Sequence, residues 1–436
     1  MMQTVKIKCL LAGLTVLVSA PGAYAQLRDT VAGIPVNYDE SKAGTCVLPD
    51  PLRLNNGKKV TDKQIFINRR RPEILEDFRE DQFGRVPANK SSCTFDVFDH
   101  GTPAFNKKAI RKQVRIFFSE DTTGPKADVL IYLPSGKEKP VPLMLMINFT
   151  ANSSMVDDPG VRRGEVWNRE HQKVPAPERS VFGTFDVRPF LDHGIGVAMV
   201  YYGDIEPDFA GGIKNGVCGM FLHPGEENPR PDEWGAIAAW AWGLSRVMDY
   251  LETESAVDNK RIGLFGISRL GKTVLWAAAS DSRFALVIAS CSGEGGAALS
   301  RRNFGETIAH LTAPSRFPYQ FCVSYQKFAD DPGKLPMDAH MLLALIAPRP
   351  VLLQTGSKDL WSDPKGEFLA AVAAGPVYEL FGKKGLETDH MPPAGDPILN
   401  PIGYYMHEGG HGILPSDIPV FIEFLQKNLL NNFNSD

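Results

Sequence analysis

The stretch RIGLFGISRLGK, residues 261–272, decides the fold. Ile262, Leu264 and Phe265 read as a buried strand, Gly266 ends it, and Ser268 follows two residues later. Gly271, Lys272 and Thr273 then lead into Val274, Leu275, Trp276, Ala277 and Ala278, a run that reads as a helix. Strand, glycine-flanked serine and helix describe a nucleophile elbow, the sharp turn that lifts a serine hydroxyl to the top of a sheet. Gly266 supplies the small residue needed where the chain reverses. The second glycine comes one position late, with Leu270 where the general motif has glycine, so the pattern is G-x-S-x-x-G. The competing reading is a strand-to-helix turn in which Ser268 only caps the helix.

Moving outward, apolar and β-branched runs at 114–119, 127–133, 143–148 and 197–202 suit strands buried on both faces. Residues 148–188 between them are polar and read as an inserted loop region. In residues 233–253, Trp234, Ile237, Ala241, Leu244, Met248 and Leu251 repeat at spacings of three and four, which predicts a helix. Downstream, strands are expected at 284–290, 351–355 and 377–381, with helices at 338–346, from Asp363-Pro364, and at 418–430. Strands alternating with helices predict an α/β protein with a doubly wound, mostly parallel sheet flanked by helices.

The chain opens with Lys6 and Lys8, an apolar run at 10–18, and Ala23-Tyr24-Ala25 before Gln26. This predicts a signal peptide over residues 1–25, hence a secreted or periplasmic protein. No later stretch is long enough to span a bilayer, so no membrane association is expected after cleavage. Residues 26–105, rich in prolines and charges with one helix-like run at 61–78, are expected to form an N-terminal extension on a catalytic domain of residues 106–436. The net charge of -4 gives no reason to expect a nucleic-acid partner. Of six cysteines, Cys9 falls in the leader, and the remaining five are irregularly spaced, which is no disulfide scaffold. A bridge between Cys46 and Cys93 would tie the N-terminal extension, one of several pairings open to five cysteines. A monomer is expected.

A serine hydroxyl attacks only when a base takes its proton and an acid orients that base. In the α/β-hydrolase fold the acid follows a late strand and the histidine comes last. Asp359, in GSKDLWSDPKGEF after the strand at 351–355, and His411, in MHEGGHG, stand in that order after Ser268. His407 and His390 are rival bases. Asp363 is the rival acid, although it also suits a helix cap. His407 to His411 spells H-E-x-x-H, a zinc-binding signature only on a helix. Gly409 and Gly410 in its middle cost about 1 kcal/mol each relative to alanine there, so a glycine loop presenting one histidine is the better account. The backbone N–H of Arg269 and one near Phe149 and Thr150 are expected to form an oxyanion hole. Arg269 and Lys272 place two cations beside the nucleophile, which suits an oxygen-rich substrate or developing negative charge. The alternative for Lys272 is a solvent-facing position on the helix.

GISRLGK resembles the G-x-S-R-x-G-K signature of the glucuronoyl esterases, carbohydrate esterase family 15. The resemblance continues through SGEGGAALSRRNFGET (292–307), MDAHMLLALIAPRP (337–350), DLWSDPKGEF (359–368) and HEGGHG. It implies an α/β-hydrolase fold and hydrolysis of esters joining the 4-O-methyl-glucuronate of xylan to lignin alcohols, through an acyl-enzyme on Ser268. By the same resemblance His411 is the base, Arg269 stabilises the oxyanion, and Lys272, Glu306 and Trp361 hold the uronate ring. Fungal members carry a glutamate where this chain has Cys291, and a thiol cannot orient an imidazole as a carboxylate does. The acid is therefore expected to be Asp359, as in some bacterial members, with Glu294 in reserve or contacting substrate. No metal or organic cofactor is expected. The alternatives are an acetyl-xylan or other carbohydrate esterase with the same triad, and a catalytically silent carbohydrate-binding homologue.

Overall fold

The computed structural model describes residues 28–87, 92–181 and 183–430, so the expected leader lies outside the described residues. One sheet of nine strands organises the chain. In chain order these are β1 (Thr94–Ala104), β2 (Ala109–Phe117), β3 (Lys126–Pro134), β4 (Val141–Asn148), β5 (Gly196–Tyr201), β6 (Val257–Ile267), β7 (Leu286–Ser290), β8 (Val351–Gly356) and β9 (Ile402–His407). Their order across the sheet is β9-β8-β7-β6-β4-β5-β3-β2-β1. The six strands from β9 to β5 run parallel, and β3, β2 and β1 pair antiparallel at one side.

The sequence of β4, VPLMLMIN, shows why this sheet is central: every residue in it is buried. Successive side chains point to opposite faces. Leu143, Leu145 and Ile147 join one apolar layer, and Met144 and Met146 the other. The first layer is closed by helices α1 (Ala236–Leu251), α2 (Arg269–Ser280) and α3 (Ala339–Ile346), and the second by α5 (Asp417–Leu425). Between α3 and α5 in the chain runs α4 (Pro364–Leu380). Fully buried residues such as Leu145 and Leu264 contribute roughly 2 kcal/mol each through lost apolar surface. Among the described residues no helix is long and apolar enough to cross a membrane.

Two expected elements differ. Residues 377–381 are not a strand: they end α4, with Val377 and Tyr378 buried one turn beyond Ala374. A short apolar run carries no period that separates strand from helix, and Pro376 inside the helix imitates a boundary. The last strand is instead β9, whose glycine and paired tyrosines obscured it. Residues 94–104, placed in the extension, form the sheet's edge strand β1. Being largely exposed, with Gly101 and Pro103 inside it, β1 lacks the apolar alternation of a covered strand.

The segment before β1 straps the sheet's helices. Phe78 and Phe83 pack against Trp276 of α2, with ring centroids 6.3 and 4.5 Å apart. Ahead of them, residues 30–42 reach the top of the sheet: Gly305 N–H donates to Asn37 O at 2.8 Å, and Arg302 pairs with both Glu40 and Asp363. Cys46, Cys218, Cys291 and Cys322 are free thiols, so the possible bridge between Cys46 and Cys93 is not formed.

After β4 the chain moves outward to β5 and then returns to place β6 on the other side of β4. Such a reversal leaves a crevice at the carboxyl ends of the two strands, where ligands of open α/β sheets bind.

Candidate active site

Ser268 sits at that crevice, between β6 and α2, with φ 60° and ψ -128°. A serine held at positive φ is strained, and the surroundings fix it there: its N–H donates to Ser290 O of β7 at 2.8 Å. Glycine is mandatory two residues before, because a Cβ on Gly266 would stand 2.2 Å from Leu270 O. The late second glycine has its own reason. A Cβ on Gly271 would meet Ser290 O at 2.9 Å and Ser292 Cβ at 3.1 Å, so Gly271 lets α2 close on β7 while Leu270 is buried. The elbow therefore replaces the cap reading, and Ser268 makes no side-chain cap bond. The first N–H groups of α2, including that of Arg269, lack acceptors within the helix and are free to bind an anion.

Asp359 follows β8 and His411 follows β9, and the two loops are packed backbone to backbone. Lys358 N–H donates to Gly409 O at 2.7 Å, and a Cβ on Gly356 would lie 2.2 Å from Gly410 O. This contact brings His411 Nδ1 to 2.7 Å from Asp359 Oδ2. An ionised carboxylate only accepts, so Nδ1 carries the proton and Nε2 is left with a lone pair that can accept one. Burial is the largest influence on Asp359 and pushes its carboxyl up. The hydrogen bond and charge of His411, with bonds from Ser362 and Cys291, outweigh it and hold the group below the usual range. The rivals are engaged elsewhere. His407 is buried with Nδ1 2.8 Å from Asp417 and Nε2 2.9 Å from Gly410 O, which shapes the loop presenting His411. His407 also ends β9, so the two histidines share no helix. His390 is exposed beside Asp389, and Asp363 caps α4 and pairs with Arg302.

Ser268, Asp359 and His411 line one cavity of about 810 Å³ together with Arg269, Lys272, Glu306 and Trp361. Lys272 turns inward, not to solvent. It is buried, its Nζ donates to Ser292 O at 2.7 Å, and Glu306 Oε2 lies 4.0 Å away. Burial lowers its pKa, with Glu306 opposing. Arg316 donates to Glu306 Oε1 at 2.7 Å and lies over the Trp361 ring at 5.4 Å. Arg269 reaches Asp208 Oδ2 at 2.5 Å and stacks on Phe317 at 4.5 Å. Asp208 in turn accepts from Tyr202, Tyr319 and Gln320, a fixed cradle for the guanidinium. Burial alone would lower the Arg269 pKa, but Asp208 and its neighbours raise it. Phe149 and Thr150 directly follow β4, beside the elbow strand β6.

Glu294 does not join this group. Its carboxylate is buried against Ser300 and Tyr325, which donate to it at 2.6 and 2.9 Å, and burial pushes its pKa up to about 8. Held by these two hydroxyls, Glu294 is not among the residues lining the cavity that contains His411. Sequence reasoning missed Arg28, Val31, Tyr38, Asp208, Arg316, Phe317 and Gln320, which form the wall and the cradle. They lie in segments without a catalytic spacing, so no local pattern marks them. Cys291 Sγ, the Asp359 carboxylate and His411 offer donor atoms within 4.8 Å of one another, a grouping that could hold a metal ion.

Comparisons with known proteins show which chains this one is similar to. A family described as "Glucuronyl esterase, fungi" matches residues 228–382. The chain is 39% identical over 437 residues to "Carbohydrate esterase MZ0003" from an unknown prokaryotic organism, covering 98% of this chain and 99% of that one. The solved glucuronoyl esterase from Solibacter usitatus is 43% identical, with TM-score 0.86, covering 89% of this chain and all of that one. A 4-O-methyl-glucuronoyl methylesterase from Podospora anserina is 28% identical over 310 residues, 69% of this chain and 53% of that one. With near-complete coverage by bacterial relatives and the elbow, imidazole and late carboxylate in one crevice, the chain belongs to the glucuronoyl esterases of carbohydrate esterase family 15, which are carboxylic ester hydrolases.

Proposed function

We propose that the protein hydrolyses 4-O-methyl-glucuronoyl esters linking glucuronoxylan to lignin alcohols, through an acyl-enzyme on Ser268. The observation that carries this reading is the 2.7 Å contact between His411 and Asp359 in the cavity that also holds Ser268, Arg269 and Lys272. Ser268 Oγ attacks the C6 carbonyl while its proton passes to His411 Nε2, and Asp359 stabilises the imidazolium. The new alkoxide rests on the Arg269 N–H and the side-chain cation of Arg269, held in place by Asp208. Collapse breaks the ester C–O bond, and His411 returns the proton to the departing alcohol. Water then gives a proton to His411 as it attacks the acyl carbon. Release of the uronate carboxylate restores Ser268 with that proton.

Lys272 and Glu306, with Arg316 beside them, would grip sugar hydroxyls, and Trp361 would lie against the ring. The ester itself is uncharged, so the cations suit the charge that develops at the oxyanion and on the product. No cofactor enters any step. The basic, apolar and A-x-A run of residues 1–25 supports export, and we infer a protein acting outside the cytoplasm as a monomer. Hydrolysis of benzyl glucuronate, compared with release of acetate from acetylated xylan, tests the reading. Turnover of the first that is abolished in Ser268→Ala is expected. Activity confined to acetyl esters, or turnover surviving in that variant, would overturn it.

A further inference from the structure

We propose that Cys291, Asp359 and His411 form an inhibitory site for a zinc-class divalent cation, seated behind the catalytic imidazole. The three side chains offer one sulfur, one oxygen and one nitrogen atom, all within 4.8 Å of one another. A tetrahedral zinc with bonds of about 2.0–2.3 Å holds its donors roughly 3.3–3.7 Å apart, so the His411 Nδ1 to Asp359 Oδ2 pair would open by about half an ångström. Asp359 and His411 stand on two loops after neighbouring strands, and Cys291 directly follows a third, β7. All three line the cavity that also holds Ser268, which gives an ion a path in. The Cys291 backbone is held at φ 46°, and its sulfur lies 3.4 Å from the Gly412 N, one residue past His411, so the thiol is fixed toward the base. A carboxylate at this position would give an all-oxygen-and-nitrogen set. The thiol makes the set soft and selective for zinc-like ions over magnesium or calcium.

Binding would form bonds to Sγ, Nδ1 and a carboxylate oxygen; the thiol proton goes to solvent, and the imidazole proton moves from Nδ1 to Nε2, so the ring stays neutral. The cation then occupies the nitrogen through which Asp359 strengthens the base. His411 Nε2 now carries the ring proton and has no lone pair to take one from Ser268, while Lys272, Glu306 and Trp361 are untouched. Inhibition therefore falls on kcat and spares KM. That kinetic consequence rests on the reading of His411 as the base, whereas the metal site itself does not.

The test is titration of the full-length, metal-free protein with cobalt(II), followed by absorbance, beside zinc inhibition of benzyl glucuronate hydrolysis. The site predicts a thiolate-to-cobalt charge-transfer band and the intense visible bands of a tetrahedral ion. Both should be lost in Cys291→Ser, with zinc affinity weakened by at least about tenfold. Zinc should lower kcat with KM little changed, magnesium and calcium should do nothing, and chelator should restore turnover. No charge-transfer band in the wild-type protein, or a band that survives Cys291→Ser, would overturn the site. Zinc inhibition expressed only in KM would overturn its placement behind the imidazole. Absence of the wild-type band refutes the site even if the variant folds poorly.

Discussion

Replacing Asp359 with asparagine removes one charge while keeping the side-chain shape, and it tests the site at its least redundant point. The Asp359 side chain is 5% exposed and receives the imidazole proton at 2.7 Å. The amide cannot stabilise the imidazolium formed during attack, and its NH2 group competes to face Nδ1, favouring the wrong tautomer. A charge-assisted hydrogen bond is worth about 1.5–3 kcal/mol, and the tautomer penalty adds to it. The expected loss is roughly 10³- to 10⁴-fold in kcat, about 4–5.5 kcal/mol of transition-state stabilisation. KM for benzyl glucuronate should change little, since Lys272, Glu306 and Trp361 remain in place. Glu294→Gln is the matched control and should cost less than about tenfold, because that carboxyl bonds Ser300 and Tyr325. Asp359→Ala combined with Cys291→Glu goes further. Position 291 lies beside both partners, so the new carboxylate should recover at least about tenfold over Asp359→Ala alone. An Asp359→Asn variant retaining more than about a tenth of wild-type kcat would refute the triad assignment.

Three further outcomes follow from the same structure. Asp208→Asn should lower kcat/KM by about 10- to 100-fold through loss of the Arg269 cradle, and steady-state kinetics with unchanged circular dichroism would separate this from misfolding. Burial pushes the carboxyls of Glu294 and Glu367 from an ordinary 4.5 up to about 8, so the folded chain holds protons that the unfolded chain has released across that window. Stability is then greatest near the lower end and falls as pH rises, by up to about 1.4 kcal/mol per pH unit for each group. Glu367→Gln should flatten the decline of Tm between about pH 5 and 8, and an unaltered slope would contradict it. Tyr38, brought into the cavity by the N-terminal strap, should contribute to binding alone: Tyr38→Ala is expected to raise KM about 3- to 10-fold with kcat nearly constant, and a fall in kcat alone would show otherwise.

What the sequence disclosed and what it hid divide along a physical line. Gly266, Ser268 and Lys272 were legible because an elbow is a local object, whose backbone geometry dictates its residues within one turn. Asp359 and His411 were legible for a weaker reason, their order after late strands. That inference survived a wrong strand: residues 377–381 are helical, yet His411 still follows the last strand because β9 intervenes. The family resemblance supplied Glu306 and Trp361, which no spacing links to Ser268. Nothing local supplied Asp208, Tyr38 or Arg316, since each reaches the cavity only through tertiary packing.

Glu294 shows the reverse case. It lies three residues from the position of the fungal acid, and proximity along the chain suggested a catalytic or substrate role. The turn through Gly293 and Gly295, both at positive φ, sends its carboxylate inward to Tyr325. Cys291 lines the cavity, while the carboxylate that touches His411 comes from the loop after β8 instead. The imidazole is therefore oriented from a neighbouring strand, and the vacated position is free to hold a thiol. That exchange makes the double variant informative: if either strand can carry the carboxylate, what the fold preserves is the nitrogen's partner and not the residue that provides it.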